Sequence, residues 1–167
     1  MNKDRRAWLL AITALIIALD RVTKIWVTHH IAEGDEITII PRYFYISHVL
    51  NPGAAFSLFS DSASPTRTRW ILISFSILAT VIVLGLILKM GRRFSATTIA
   101  LALILGGALG NVWDRIHQGV VTDFLEVFLR WGHWSYHWPD FNIADSAIVC
   151  GGILIMLDAL LPRKSTS

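Results

Sequence analysis

The stretch WILISFSILATVIVLGLIL at residues 70–88 carries no charged side chain, and its length determines the class of this protein. A helix needs about 20 apolar residues to cross about 30 Å of hydrocarbon at about 1.5 Å per residue. Three further apolar stretches of similar length lie at about residues 7–27, 96–113 and 141–161. The sequence therefore predicts an all-α membrane protein in which four transmembrane helices form a single domain over residues 1–167.

The overall composition agrees with a membrane location and gives no sign of a nucleic-acid partner. Hydrophobic residues make up 54% of the 167 residues, and the mean hydropathy of +0.55 is above that of soluble domains. The net charge is +3, but most basic residues flank apolar stretches and form no basic stripe interleaved with aromatic residues. The flanking residues are Lys3, Arg5, Arg6, Lys89, Arg92, Arg93, Arg163 and Lys164.

The distribution of these basic residues predicts the orientation in the membrane. With an even number of spans, both termini lie on the same side as the loop at 89–95, and that side holds all the flanking basic residues. The positive-inside rule therefore predicts that both termini are cytoplasmic and that the longer loops at 28–69 and 114–140 lie outside. The first apolar stretch resembles a signal peptide, but charged residues at 20–24 replace the small residues of a cleavage site, so a retained helix is predicted.

The first outer loop has local structure of its own. Residues 37–40 and 43–49 have the β-branched and aromatic composition of strands, and the Asn-Pro-Gly sequence at 51–53 is typical of a turn. Residues 54–59 are mostly apolar and are predicted to form a short helix on the membrane surface. We therefore expect a small extracytoplasmic β element and a short interfacial helix in addition to the spans.

Polar side chains lie near the outer ends of the predicted spans, where the bilayer makes them costly. A charged group at the centre of a span costs at least about 2.5–3.5 kcal/mol on insertion scales, so each one calls for a partner or a function. Asp20 and Lys24 are four residues apart on one helix face, which also suits a structural ion pair. The polar residues in question are Asp20, Lys24, Asn111, Asp114, Arg115, Asn142 and Asp145.

Several of these residues also have structural interpretations. Positions 111–115 place three polar side chains on one helix face, next to glycines at 106–110 that by themselves indicate close helix packing. Asn142 is typical of a helix cap, whereas Asp145 lies one turn inside an apolar helix and is not easily explained as a cap. Asp123, in the second outer loop, by itself indicates a turn or a capping aspartate.

Asp123 and Asp145 together suggest an aspartic dyad, in which two carboxylates share one proton. One carboxylate acts as a general base towards water, and the other, protonated, polarises the carbonyl group, because close like charges cannot both remain ionised. Cys150 lies deep in an apolar run, far from the polar clusters, and is expected to be a small hydrophobic residue. His133 and His137 allow zinc in principle, but their Trp- and Tyr-rich surroundings favour interfacial anchoring.

Separate segments of the chain resemble the signature blocks of one family, the lipoprotein signal peptidases (signal peptidase II). They follow the order and spacing of the family, so the resemblance covers nearly the whole chain. The segments are DRVTK at 20–24, NPGAAFS at 51–57, GGALGNVWDR at 106–115, VTDF at 121–124 and FNIADS at 141–146. Two features depart from the usual pattern: Trp113 stands where an aliphatic residue is more common, and the stretch 130–140 is rich in Trp and His.

The resemblance implies an aspartic endopeptidase of the bacterial cytoplasmic (inner) membrane, with its active site on the outer face. It would remove the signal peptide from prolipoproteins immediately before a diacylglyceryl-modified cysteine, with Asp123 and Asp145 as catalytic residues. Membrane lipids and globomycin-type cyclic peptides are the other implied partners, and neither a metal nor a cofactor is implied. The residues implied to support the dyad or bind substrate are Asp20, Lys24, Asn51, Asn111, Arg115 and Asn142, to which the shared helix face adds Asp114.

A small proton-coupled membrane transporter is the main alternative, because charged residues inside spans often mark ion paths. A transporter would place such residues near the midplane of the bilayer. Here they lie at one interface, and the stretch 70–88 has none. A third interpretation, a structural membrane subunit, leaves the aspartates inside the spans unexplained. The sequence therefore favours the peptidase.

Overall fold

The computed structural model describes residues 4–53 and 64–161, which form four helices and a four-stranded sheet. The helices are α1 (Arg6–His30), α2 (Pro65–Met90), α3 (Ala96–His117) and α4 (Ile143–Leu160). The strands are β1 (Glu36–Ile40), β2 (Phe44–Asn51), β3 (Val121–Trp131) and β4 (Trp134–Phe141). Each helix overlaps a predicted span, and the ends differ by a few residues.

Among the described residues, three helices have the length and apolar composition of a membrane span, so the chain is a multi-pass membrane protein. They are Thr66–Met90, Ala96–His117 and Ile143–Leu160. α1 has 25 residues, but Asp20, Arg21 and Lys24 interrupt its apolar sequence. Its role as a fourth span therefore remains a prediction. The interfacial helix expected at 54–59 lies outside the described residues.

α3 is the central helix of the molecule and packs against α1, α2 and α4. Its first turn is closed by Ser95, which accepts a hydrogen bond from the Thr98 backbone N–H and donates its own backbone N–H to the Thr98 hydroxyl. Between α1, α2 and α3 lies a buried apolar cluster made of Leu9, Ile87, Leu101, Ala102 and Leu105. In lipid, such packing stabilises a fold through van der Waals contact rather than through the exclusion of water.

Glycines on α3 let the helix backbones approach each other closely. A Cβ atom added at Gly107 would overlap the backbone oxygen of Ala144 in α4. A Cβ atom added at Gly110 would lie 2.7 Å from the Asp20 carboxylate of α1. The small residues at 106–110 therefore set the position of α3 against the start of α4 and against the second half of α1, as their sequence indicated.

We expect Gly107→Ala to lower the thermal stability of the protein more than Gly152→Ala does. The added methyl group must push α3 away from Ala144, and overpacking of this kind costs about 1–3 kcal/mol. Gly152 is the matched control, because a Cβ atom there meets no other atom within 4 Å. Thermal unfolding in detergent measures the difference, and equal Tm values for the two variants would show that the contact at Ala144 can relax freely.

The sheet has the strand order β1-β2-β3-β4, and all neighbouring strands are antiparallel. β1 and β2 confirm the strands expected at 37–40 and 43–49. β3 and β4 lie largely in the second outer loop at 114–140, for which the sequence had indicated no strands. One face of the sheet packs on the C-terminal end of α1 through Val27, Ile31 and Phe124. This contact holds the sheet next to the start of α4.

Candidate active site

Asp123 is a buried carboxylate near the start of β3. Only 2% of its surface is exposed, and it pairs with Val49 of β2, so the interpretation as a turn or capping aspartate is wrong. Its Oδ2 atom accepts a hydrogen bond from Asn51 Nδ2 at 2.9 Å, and its Oδ1 atom accepts one from Asn142 Nδ2 at 2.7 Å. Each of its carboxylate oxygens therefore has a side-chain amide as donor.

Asp145 lies in the first turn of α4 and forms a capping box with Asn142. The Asn142 side chain accepts the Asp145 backbone N–H at 2.9 Å, and Asp145 Oδ2 accepts the Asn142 backbone N–H at 3.3 Å. This confirms the cap predicted at Asn142, but Asp145 does have a capping role, contrary to expectation. The other oxygen, Oδ1, accepts a hydrogen bond from Asn111 Nδ2 at 2.8 Å.

The asparagines around the two aspartates are each held in one orientation. The side-chain oxygen of Asn51 accepts a backbone N–H at 2.8 Å, and that of Asn142 is used by the cap. The side-chain oxygen of Asn111 accepts hydrogen bonds from Lys24 Nζ and Asn142 Nδ2, both at 3.2 Å. Because each amide oxygen has its own donor, each NH₂ group is directed at a carboxylate. Each aspartate therefore receives at least one amide donor whose orientation is fixed.

Lys24 lies at the centre of a charged network beside this site. It is only 1% exposed, and its Nζ atom is 2.9 Å from Asp20 Oδ2 and 2.7 Å from Asp114 Oδ2. Arg21 pairs with the other carboxylate oxygen of Asp114, so two cations balance two carboxylates. Asp20 also accepts the Ala144 backbone N–H at 3.1 Å. The network contains the Asp20–Lys24 pair that the spacing indicated, and it joins α1 and α3 to the start of α4.

Arg115 connects α3 to the turn that follows β2. The side chain is buried, and its Nη2 atom donates to the Gly53 carbonyl at 2.8 Å. Its charge lies within electrostatic reach of Asp145 and Asp123. Arg115 therefore fixes the turn next to Asn51 and places positive charge near the aspartates.

The surroundings of Asp123 favour its protonated form. Burial, followed by the negative charge of Asp145, raises the pKa of Asp123 to about 7, from an ordinary value of 3.8. The hydrogen bonds from Asn51 and Asn142 lower this pKa, as does the charge of Lys24, but they do not cancel the effect of burial. Asp123 therefore exchanges a proton near neutral pH, as required of one member of a proton-sharing pair.

An apolar cavity of about 410 Å³ begins at Asp145 and runs along α4. It is lined by Trp138, Asp140, Phe141, Asp145, Ser146, Ile148, Val149 and Cys150. Cys150 was expected far from the polar residues, and its exposed thiol lines the same cavity as Asp145. Asp145 and Cys150 are five residues apart on α4, about 7.5 Å along its axis at about 1.5 Å per residue, so one cavity reaches both.

The sequence analysis identified the aspartates and asparagines that meet here, but it missed two arginines. Arg21 neutralises Asp114, and its position beside Asp20 inside an apolar stretch was a usable signal. Arg69 donates from Nε and Nη2 to the carbonyl oxygens of residues 115 and 116, at 2.8 and 2.9 Å, and so closes the end of α3. Nothing in the local sequence around Arg69 indicates this role.

The chemistry open to this arrangement is acid–base chemistry at the edge of an apolar cavity. The buried Asp123 and the half-buried Asp145 are connected through oriented amides, and Asp123 titrates near neutral pH. Such a pair can remove a proton from water and hold a proton against a polarised oxygen. Within residues 4–53 and 64–161, side chains with metal-binding geometry form a separate group on the sheet, composed of Glu126, His137 and Asp140.

Comparison with known proteins gives a consistent result over nearly the whole chain. A family model described as signal peptidase (SPase) II matches residues 12–161. A lipoprotein signal peptidase from Solibacter usitatus is 41% identical over 164 residues, which cover 98% of this chain and 97% of the relative. One from Pseudomonas aeruginosa is 40% identical over 163 residues, which cover 96% of this chain and 92% of the relative.

Two solved structures share the architecture. Both are described as a bacterial membrane enzyme determined by the in meso method, at 2.3 and 1.9 Å resolution. Each is 27% identical to this chain, with TM-scores of 0.83 and 0.81. The matches cover 100% and 98% of this chain and 96% and 99% of the solved chains, so the likeness includes the helices and the sheet together.

Proposed function

The chain belongs to the signal peptidase II family and is an aspartic peptidase that removes signal peptides from prolipoproteins. From this premise we propose that Asp123 and Asp145 are its catalytic dyad and that cleavage falls immediately before a diacylglyceryl-modified cysteine. The observation that supports the dyad is a chain of side-chain hydrogen bonds between the two aspartates. Asn142 donates to Asp123 and to Asn111, and Asn111 donates to Asp145. β3 and α4 thereby bring a buried and a half-buried carboxylate to one site.

The dyad works with one shared proton. The ionised carboxylate takes a proton from water, whose oxygen attacks the scissile carbonyl carbon, while the protonated carboxyl group gives its hydrogen to the carbonyl oxygen. When the tetrahedral intermediate collapses, the C–N bond breaks and the leaving nitrogen takes the proton that came from water. The other proton returns to its carboxyl group, so the dyad regains its starting state.

The remaining polar residues position the dyad. Asn51, Asn111 and Asn142 direct their amide donors at the two carboxylates. Arg115 supports the dyad through its bond to the turn at Gly53. The charged network behind the dyad joins α1 and α3 to the start of α4, and its members are Asp20, Arg21, Lys24 and Asp114.

The cavity beside Asp145 suits the apolar part of a membrane-anchored substrate. Its lining is largely apolar and starts at a carboxylate in the first turn of α4. A diacylglyceryl group and a signal helix remain in the hydrocarbon, which places the scissile bond near headgroup level. We propose that this apolar part occupies the cavity while the scissile carbonyl meets the dyad. Membrane lipids and globomycin-type cyclic peptides would compete for the same space.

Cys150→Ala should retain cleavage activity within about twofold of the wild type, because a thiol in this cavity acts only as a small apolar surface. Cys150→Trp should lower kcat/KM at least about tenfold, since the large ring fills space proposed for the substrate. Initial rates on a lipid-modified precursor measure both effects. A fully active Cys150→Trp variant would place the substrate elsewhere, and an inactive Cys150→Ala variant would contradict the aspartic mechanism.

We propose that the protein resides in the bacterial cytoplasmic (inner) membrane, with α1 as a fourth span, both termini in the cytoplasm and the dyad on the outer face. The flanking basic residues at the termini and at 89–95 support this orientation. Exposed tryptophans support the proposed position of the outer membrane–water interface, because tryptophan is enriched at such interfaces as an aromatic belt. They are Trp26, Trp70, Trp113, Trp131, Trp134 and Trp138.

Single-cysteine labelling tests this orientation. In a Cys150→Ala background, we expect a membrane-impermeant maleimide to label His133→Cys, but not Arg92→Cys, in right-side-out spheroplasts. Both positions are exposed, so both should react after detergent is added. Labelling of Arg92→Cys before detergent would reverse the proposed topology.

Cleavage of matched precursors tests the proposed function. Purified enzyme is incubated with the same prolipoprotein in a diacylglyceryl-modified and an unmodified form, and mass spectrometry identifies the new N-terminus. We expect cleavage of the modified form alone, with the lipid-modified cysteine as the first residue of the product. Equal cleavage of both forms, or a cut elsewhere, would overturn the proposed specificity.

A further inference from the structure

A second cluster of titratable side chains lies on the sheet and is not used by the dyad. Ligand atoms from Glu126 of β3 and from His137 and Asp140 of β4 lie within 4.8 Å of one another. His137 Nε2 is 3.2 Å from Glu126 Oε1 and 3.9 Å from Asp140 Oδ2. Within residues 4–53 and 64–161, His137 is the only ion-pair partner of these two carboxylates.

Irregular strand pairing brings these side chains together. β4 departs from regular register opposite Glu126, where it has an extra residue at Pro139 and Asp140. β2 has an extra residue at Ser47 and His48, opposite Phe124. Bulges of this kind re-aim side chains and often lie next to functional sites. Without the bulge in β4, the alternation of the strand would direct Asp140 to the same face as Trp138, away from His137.

Other contacts hold the potential ligands in place. Asp140 Oδ1 accepts a hydrogen bond from Ser47 Oγ at 2.9 Å, which leaves Oδ2 directed at His137. The His137 ring stacks on Phe128 with 4.6 Å between ring centroids, and this contact fixes its plane. Partners that orient ligand side chains are characteristic of metal sites.

Glu126 is short of hydrogen-bond donors and lies close to other carboxylates. Its side chain is 12% exposed, and its Oε2 atom is buried with no hydrogen-bond donor in the described part of the chain. The Glu36 carboxylate comes within hydrogen-bonding reach of Glu126, and Asp140 adds a further negative charge. Carboxylates this close repel one another unless a proton or a cation lies between them.

We propose that Glu126, His137 and Asp140 form a binding site for a divalent transition-metal ion, with zinc as the preferred ion. One imidazole nitrogen and two carboxylate oxygens suit zinc, whereas calcium and magnesium prefer oxygen ligands alone. Ligands at about 2.0–2.2 Å from zinc in a tetrahedron lie about 3.4 Å apart. The separations of 3.2 and 3.9 Å lie close to this value. Water or Glu36 would complete the coordination.

The role of this site is structural. A bound ion would join β3 to the last residues of β4, which lead directly into Asn142 and the first turn of α4. It would thereby fix the segment that carries one of the donors to Asp123. The ion takes no part in the cleavage step, so this inference stands independently of the proposed function.

Metal content and thermal stability test the site directly. The protein is purified with an affinity tag that contains no histidine, stripped with EDTA, dialysed against ZnCl₂ and analysed by elemental mass spectrometry. We expect about one zinc ion per chain in the wild type and in the His133→Gln control, and less than about a tenth of that in Glu126→Gln and His137→Gln. Zinc at about a hundredfold excess over Kd should raise Tm by about 5–10 °C in the wild type and in His133→Gln, but not in Glu126→Gln or His137→Gln.

Equal zinc content in wild type and both ligand variants would overturn the site and leave an ordinary His–Glu ion pair in its place. A wild-type Tm that does not change when zinc is added would also overturn the site. Cobalt substitution of the wild type makes the test independent of variant folding. The visible spectrum of tetrahedral Co²⁺ is expected, and the spectrum of the hydrated octahedral ion would contradict the proposal.

Discussion

Asp123→Asn and Asp145→Asn should each lower kcat/KM on a lipid-modified prolipoprotein by at least about 10³-fold. The change is nearly isosteric, so the protein should remain inserted and folded. An amide, however, neither accepts a proton from water nor holds the shared proton against the carbonyl oxygen. Asp35→Asn is the matched control, because this aspartate is exposed and lies outside the dyad. It should cleave at the wild-type rate.

The losses at the two aspartates should not add. Both roles belong to the same step, so the double variant should be about as inactive as either single variant. Rates are measured in detergent or liposomes at matched protein concentrations. If either single variant keeps more than about a tenth of wild-type turnover, the residue replaced is not a catalytic acid or base.

The raised pKa of Asp123 predicts a second effect of Asp123→Asn, which is a change in thermal stability with pH. With a pKa of about 7 in the folded state and 3.8 as its ordinary value, Asp123 takes up a proton on folding between these limits. Stability therefore falls as the pH rises from about 4 to about 7, by at most about 4 kcal/mol. Asp123→Asn has no carboxyl group to titrate, so it removes this pH-dependent loss of stability. It also loses an amide hydrogen bond worth about 1–3 kcal/mol. Relative to wild type, its Tm should rise between pH 4 and pH 8, while activity in the wild type follows a bell-shaped pH profile.

Lys24→Met should sharply lower the yield of folded protein, and activity should fall with it. Lys24 is 1% exposed and lies between two buried carboxylates, Asp20 and Asp114. Removing one partner of a buried ion pair costs about 3–5 kcal/mol, because the remaining charge is left uncompensated. Methionine fills similar space, so the loss reports charge rather than volume. Lys89→Met, at an exposed position near the end of α2, is the control.

A compensating substitution separates charge from packing. Asp20→Asn in the Lys24→Met background leaves Asp114 paired with Arg21 and restores neutrality to the network. The Tm of the double variant should therefore exceed that of Lys24→Met. If Lys24→Met instead melts within about 2 °C of Lys89→Met, the network contributes little to stability.

The helical parts of the site followed from local spacing. Asp20 and Lys24 are separated by one helical turn, and Asn142 precedes Asp145 by the interval of a capping box. These intervals determine which side chains share a helix face, whatever the rest of the fold does. The long uncharged stretch at 70–88 likewise predicted the position of α2, because bilayer thickness alone sets its length.

The contacts that the sheet makes could not be predicted from local spacing. Pro139 argues against a strand, and β4 accommodates it only at a bulge. Asp123 became a candidate only together with Asp145, and the family resemblance then supported it, since no local pattern marks a buried aspartate at the start of a strand. Ser47 and Asp140 are 93 residues apart in sequence, and only the pairing of β2 with β3 and of β3 with β4 brings them into contact.

Because the backbones of α3 and α4 touch at Gly107 and Ala144, the two helices must tilt in the bilayer as one body. α4 has 18 residues and is about 27 Å long, close to the hydrocarbon thickness of a typical membrane. Asp145 lies in its first turn, so the height of the dyad is set by the length of α4. A thicker bilayer must therefore thin around the protein or move the scissile bond away from the dyad. Hydrophobic mismatch, at fractions of a kcal/mol per Å, thus makes turnover sensitive to the chain length of the surrounding lipids.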